Sequence, residues 1–338
     1  ALIGALQAEN SYVRNSAADA LGNQSTLPES TLQALIGALQ DEDHYVRISA
    51  AYALRNLTAL TESTLHALVG ALQQENNHVR FLAADALEKQ STFSESTLQA
   101  LVGALQHENE VVRSSAVDVL EKQSALPEST LQALVDALQD ENWMVKRSAA
   151  RALGKQSTLS GLTLLALVGA LQDKNGDVRR SAADALRKQS TLPESTLQAL
   201  IGALQDEDWM VRNSAASALR NQSILPESTL HTLIGALQEK DKDLQRRVVV
   251  VLEQHVKSTL MAIPRLSSSA IEALYRTFLV NYGSEHSASL WVQGHQVCFH
   301  TVQGSEEMDG LCVEDVTKVV ETFNQIRNGV NPPLIKEQ

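Results

Sequence analysis

The chain has 338 residues, a formal net charge of -12, 43% hydrophobic residues and only 4% aromatic ones. The acidic balance argues against general nucleic-acid binding, and the absence of any apolar run of about 18 residues argues against a membrane-spanning helix. Cys298 and Cys312 are the only cysteines, which is no disulfide framework and fits a reducing, cytoplasmic setting.

The first segment, "ALIGALQ", reads as part of a helix entered midway and has no initiator Met. A fragment of a longer protein is therefore expected, with more repeats or another domain upstream. From there one pattern returns every 33 residues, as at Leu32, Leu65, Leu98, Leu131, Leu164, Leu197 and Leu230. Gln7, Gln40, Gln73, Gln106, Gln139, Gln172, Gln205 and Gln238 keep the same step. A fixed period of this length signals a repeat architecture of about eight copies, the first one truncated, over residues 1–262.

Within one copy, Glu29 to Ala59, Ser30 or Thr31 is expected to cap a first helix whose stripe is Leu32, Leu35, Ile36 and Leu39. "DED" at Asp41–Asp43 ends it, and Asp43 is expected to cap a second helix that buries Val46, Ala50, Ala53 and Leu54. Pro28, Pro127, Pro193 and Pro226 punctuate the copies. One such hairpin has too little core to stand alone, so the copies must stack. The expected fold is an all-α solenoid of helical hairpins.

Residues 263–338 break the pattern and are expected to form a small α+β cap. "SSSAIEALYRTFLVNYG" (267–283) reads as a helix closed by Gly, and "SASLWVQGHQVCFHTVQG" as a hairpin with strands near Ser289–Val292 and Gln296–Val302. "VEDVTKVVETFNQIRNG" reads as a final helix before a loose tail. The apolar helix "LQRRVVVVLEQHV" before this unit is expected to meet it.

"DEDHYVRISAAYALRNL" and its copies resemble HEAT-type repeats, in particular the short variety related to phycobilisome-lyase-like repeats. The match consists of an acidic or Asn cap, a Val-Arg pair, spaced Ala and a closing Ala-Leu, over about three quarters of the chain. It implies a right-handed α-solenoid whose second helices line the concave surface. It also implies that the column Arg14, Arg47, Arg80, Arg113, Lys146, Arg179 and Arg212 forms an orienting ladder with Asp or Asn of the neighbouring copy. The Gln40 column is expected to bond at helix ends or between copies. The repetition with one variable face is similar to the ligand-sensing tails of large intracellular signalling NTPases, including immune-type receptors.

Catalytic chemistry finds little to rest on. His295, Cys298, His300 and Cys312 are zinc-ligand types, but His295 and Cys298 are an odd number of strand positions apart and face opposite ways. Di-iron hydroxylases with HEAT-like repeats need several His-Glu pairs, and here His107-Glu108 stands alone. No phosphate loop, nucleophile elbow or acid pair appears, so no catalytic, cofactor or metal residues are expected. Partner binding is instead expected on the variable columns of the second helix, which begin at Tyr12, Asn15, Asp19 and Gly22. The anchors are Tyr45, Ile48, Tyr52, Phe81, Trp143, Met144, Arg147, Arg151, Arg180, Trp209 and Met210, facing a protein or peptide. Two alternatives are a nucleic-acid site and an accessory role in a lyase or hydroxylase. The first would use Lys146, Arg147, Arg151, Lys155, Arg179, Arg180, Arg187 and Lys188, a zone interrupted by Asp177 and Asp184.

Overall fold

The computed structural model describes residues 1–236, 241–255, 289–293, 296–301 and 304–308. Helices alternate along the chain. They begin with α1 (Leu2–Ala5), α2 (Ser11–Leu21), α3 (Glu29–Ala38), α4 (His44–Arg55), α5 (Glu62–Ala71) and α6 (Asn77–Glu88). Next come α7 (Glu95–Ala104), α8 (Glu110–Glu121), α9 (Glu128–Ala137), α10 (Trp143–Leu153) and α11 (Gly161–Ala170). The series closes with α12 (Gly176–Arg187), α13 (Glu194–Ala203), α14 (Trp209–Arg220), α15 (Glu227–Ala236) and α16 (Lys242–Gln254). Odd-numbered helices are the first of each copy and even-numbered ones the second.

Two compact units divide the chain, Ala1–Ala185 and Leu186–Gln338. In the first, second helices pack on second helices (α2 on α4, α4 on α6, α6 on α8, α8 on α10), and first helices form the parallel row α3, α5, α7, α9 and α11. In the second, α13 packs on α14 and α15, and α16 packs on α14 and α15. Each hairpin thus meets its sequence neighbours, which is the α-solenoid arrangement.

The core follows the expected columns except at Ile36, which lies at the edge of the stripe and is half-buried. Leu35, Leu39, Val46, Ala50, Ala53 and Leu54 are fully buried, as are their counterparts Leu68, Leu72, Val79, Ala83 and Leu87. Ala at two of the inward positions lets second helices approach closely, while Leu fills the space between the two rows. In α16, Val248 and Val251 are buried and Val250 is partly exposed.

Helix starts depart from the expectation in one respect. Ser30 and Thr31 lie inside the first turn of α3, whose N-cap is Pro28 without a side-chain cap bond. Where the copy has a hydroxyl three residues before the buried threonine it caps: Ser94 accepts from the Thr97 N–H at 3.1 Å and Ser160 from that of Thr163 at 3.3 Å. A capping oxygen stands outside the helix, two or three residues before the free N–H it accepts from, a place that Thr31 cannot occupy.

In the C-terminal region β1 (Ser289–Gln293) pairs antiparallel with β2 (Gln296–Thr301), which pairs with β3 (Gly304–Met308). The hairpin agrees with the alternating pattern; the third strand was not anticipated, because "GSEEM" carries no apolar alternation. The two helices expected on either side of this sheet, at 267–283 and 313–329, lie outside the described residues. So do His295 and Cys312 of the considered zinc set.

Candidate partner-binding surface

Each second helix starts on a fixed cap. The side chains of Asn10, Asp43, Asn109, Asn142 and Asp208 accept from the backbone N–H two residues on, at 2.8 Å in every case. Arg in the fourth helical position then locks the preceding loop. Arg14 Nη1 donates to the carbonyls of Ala8 and Glu9, Arg47 to those of Asp41 and Glu42, and Arg113 to those of His107 and Glu108. Start and loop are thus set in the same way in the copies that carry both the cap and the arginine.

The arginine ladder is narrower than expected. Arg14 pairs with Asp41, Arg113 with Asp140 and Lys146 with Asp173, each at 2.7 Å, in largely buried surroundings. The Arg14 bond holds the Asp41 carboxyl below its ordinary range against the opposing effect of burial. Burial of Asp140 works most strongly against its charge, but the Arg113 bond, the Asn142 N–H and the Arg113 and Lys146 charges together hold its carboxyl below the ordinary range. Arg47 and Arg80 meet no such carboxylate, since Gln74 and His107 stand at the partner positions, and the Arg80 Nε is buried without a partner. The bond shared by the arginines of the column is therefore the one to the loop carbonyls, with the carboxylate added at Arg14 and Arg113, while Lys146 keeps only its carboxylate.

The glutamine expectation is also corrected. Gln40, Gln73, Gln106, Gln139 and Gln172 are exposed just past the helix ends, and no side-chain hydrogen bond of theirs is found among the described residues. A different column bonds between copies, and sequence reasoning missed it. Gln123 Nε2 donates to Gln90 O at 3.1 Å, Gln156 to Gln123 O at 3.1 Å and Gln222 to Gln189 O at 3.0 Å, with all three donors buried. Its signal was present in the regular recurrence of Gln at 90, 123, 156, 189 and 222.

Opposite the buried Val and Ala positions lies the proposed face. In the first unit Tyr45 is 62% exposed, Phe81 67% and Tyr52 42%, and Arg151 and Arg180 are exposed too. Ile48, Trp143, Met144 and Arg147 are half-buried, and the Arg147 guanidinium lies 5.2 Å from the centre of the Trp143 ring. In the second unit Trp209 is 57% and Met210 37% exposed. Tyr12, 76% exposed, belongs to the same column as Tyr45 and was left out of the expected anchors. So was an apolar pair on a first helix, Leu162 and Leu165 of α11, exposed where other copies carry Ser and Gln or His.

One of the four variable columns does not belong to the free face. Gly22, Glu121 and Gly154 are buried, and Arg55 and Glu88 half-buried. Here the ends of neighbouring second helices touch: a Cβ on Gly154 would stand 2.7 Å from Ala185 Cα. Variation in this column tracks ion pairs, as Glu121 meets Arg151 at 3.0 Å and Lys155 at 3.2 Å, and Lys122 meets Glu88 at 3.3 Å. Much of the basic zone considered for nucleic acid is spent in the same way. Lys146, Arg151 and Lys155 are paired as above, Arg180 lies 3.7 Å from Asp184, and Arg179 donates to the carbonyls of Asp173 and Lys174. Beside Glu121, burial pushes the Asp118 carboxyl up, and the Glu121 charge adds to that.

Among the described residues no His, Cys, Asp or Glu group is placed to hold a metal, and no helix is long and apolar enough to cross a membrane. The family of HEAT repeats matches residues 1–88, 55–121, 98–187 and 163–253. No curated protein sequence matches the chain. Among solved structures, an engineered protein crystallised by the Northeast Structural Genomics Consortium is similar over 98% of each chain, with a TM-score of 0.50 and 18% identity. At that identity the likeness concerns the fold alone.

Proposed function

The chain belongs to the HEAT-repeat family, and from that premise we propose that it is a non-enzymatic scaffold binding a protein or peptide along the exposed face of its second helices. The observation that carries this reading is the set Tyr12, Tyr45, Tyr52 and Phe81, large side chains exposed in a chain with only 4% aromatics. Rigid aromatic groups contribute a large share of binding energy at protein interfaces, at little cost in side-chain entropy. Here they are carried on helices whose caps and loop-locking arginines fix their spacing. A net charge of -12 further favours a partner with basic or neutral character.

The test is affinity capture from the native host lysate, read by quantitative mass spectrometry. The Tyr45→Ala, Tyr52→Ala, Phe81→Ala triple variant is expected to weaken recovery of a specific partner by about 30-fold. A Gln33→Ala, Gln99→Ala, Gln132→Ala variant on the first helices should recover it like the wild type. The opposite pattern places the function on the first helices.

A further inference from the structure

We propose that a pocket in the second unit, at the C-terminal ends of the last second helices, is a binding site for a small phosphate-bearing anion. The pocket has a volume of about 720 Å³ and is lined by Arg187, Lys188, Ser190, Arg220, Ser223 and His255, together with the ladder residues Gln189 and Gln222. Arg187 closes α12, Arg220 closes α14 and His255 caps α16.

Cations at helix C-termini ordinarily complement the helix dipole, so their presence alone says little. Their company is informative. At the same helix ends in earlier copies the cations are matched by carboxylates: Arg55 and Lys89 with Asp85, Lys122 with Glu88, and Arg151 and Lys155 with Glu121. For Lys188 and Arg220, at the pocket, this matching stops. Val250 stands thirty residues after Arg220, where Arg55 finds Asp85, and Gly154 stands thirty-four before Lys188, where Lys122 finds Glu88. Asp184, one turn before Lys188, lies against Arg180. Among the described residues, Lys188 and Arg220 have no ion pair and no carboxylate lines the pocket.

The lining also selects the ligand's chemistry. It is mostly polar, which does not suit an apolar molecule. Guanidinium forks and hydroxyls offer more donors than one carboxylate uses, and a phosphate or pyrophosphate group has the acceptor oxygens to match them. The buried His255 Nε2 lies 3.3 Å from Leu219 O, and burial disfavours its charged form. It therefore shapes the floor, and the unmatched positive charge comes from Lys188 and Arg220. The volume is that of a small-molecule site.

Inorganic pyrophosphate is the probe, titrated calorimetrically into the full chain at near-physiological salt. Saturable binding of one pyrophosphate per chain is expected. It should weaken at least about tenfold in a Lys188→Gln, Arg220→Gln variant and stay unchanged in an Arg55→Gln, Lys122→Gln control, whose cations are already paired. Unaltered melting of the first variant keeps folding apart from binding. Equal affinity in both variants, or no binding by the wild type, overturns the proposal. So does retention on vesicles containing phosphatidylinositol 4-phosphate without binding of free pyrophosphate.

Discussion

At the scale of single residues, the chain shows what a recurring side chain does by what happens when its partner changes. Arg80 keeps the loop-locking bonds of its column, but His107 occupies the sequence position at which Asp41 serves Arg14 and Asp140 serves Arg113, and the Arg80 Nε is left buried and unpartnered. His107→Asp should supply the missing acceptor and raise stability by about 1 kcal/mol, since a hydrogen bond to a charged group is worth that much or more. Chemical denaturation checks this, and a neutral or destabilising result means the orphaned Nε has another acceptor. Glu62 illustrates the converse, a carboxylate with donors to spare. Ser94, Ser96 and Thr97 of the next copy donate to it and hold its pKa down to about 2 from an ordinary 4.5. Because the folded-state value is the lower one, the ionised group favours folding. Its contribution is complete above about pH 4.5 and fades as the pH falls toward about 2. Melting temperatures of Glu62→Gln and wild type should accordingly differ at pH 7 and converge near pH 2; a gap independent of pH would assign the effect to packing. The presence of an arginine column was legible in the sequence, because repetition exposed it. Its main acceptors, the loop carbonyls, were not, because backbone groups leave no letter.

At the scale of elements, helix existence and inward faces were readable because Leu and Ala recur at helical spacing. Helix starts were misplaced, since Ser and Thr occur both at the cap position, as Ser94, and inside the first turn, as Thr31. The four variable columns looked alike in sequence, yet the Arg55 column lies at helix–helix contacts. Sequence variation there reflects exchange between ion pairs and glycine. Glycine itself separates the two situations. Gly154 sits where α10 meets the helix carrying Ala185, and a new Cβ would stand 2.7 Å from Ala185 Cα and 2.8 Å from its Cβ. Gly103, near the end of α7, has nothing within 4 Å of such an atom. Gly154→Ala should therefore cost about 1–3 kcal/mol through overpacking, while Gly103→Ala should gain about 0.5 kcal/mol from helix propensity. Urea denaturation of the two variants decides it: equal effects would mean that backbone freedom, common to both, outweighs the contact.

At the scale of the whole molecule, stacking by sequence neighbours was the most legible feature, because one period repeated without insertion leaves little choice of topology. The proposed partner face was legible only in outline. Large side chains such as Tyr45 and Phe81 stand out in sequence, but the sharing of Glu121 between Arg151 and Lys155 depends on helix ends brought together by the stack. The same stacking shapes the response to damage. In the first unit α4, α6 and α8 each pack on the second helix before and after, and α5, α7 and α9 on the first helix before and after. Stability is then close to a sum of hairpin terms and nearest-neighbour interfaces. Leu68, fully buried in α5, serves one hairpin and its two interfaces. Leu68→Ala should cost about 2–5 kcal/mol locally, from lost transfer energy and the cavity left behind. Native-state hydrogen exchange should then show protection lost most in α5 and α6, less in α3, α4, α7 and α8, and hardly at all in α13 and α14. Graded loss of this kind follows from neighbour-only packing. Equal loss of protection from α2 to α14 would instead mean that the chain opens only as one block, and that hairpin-by-hairpin additivity does not hold for this protein.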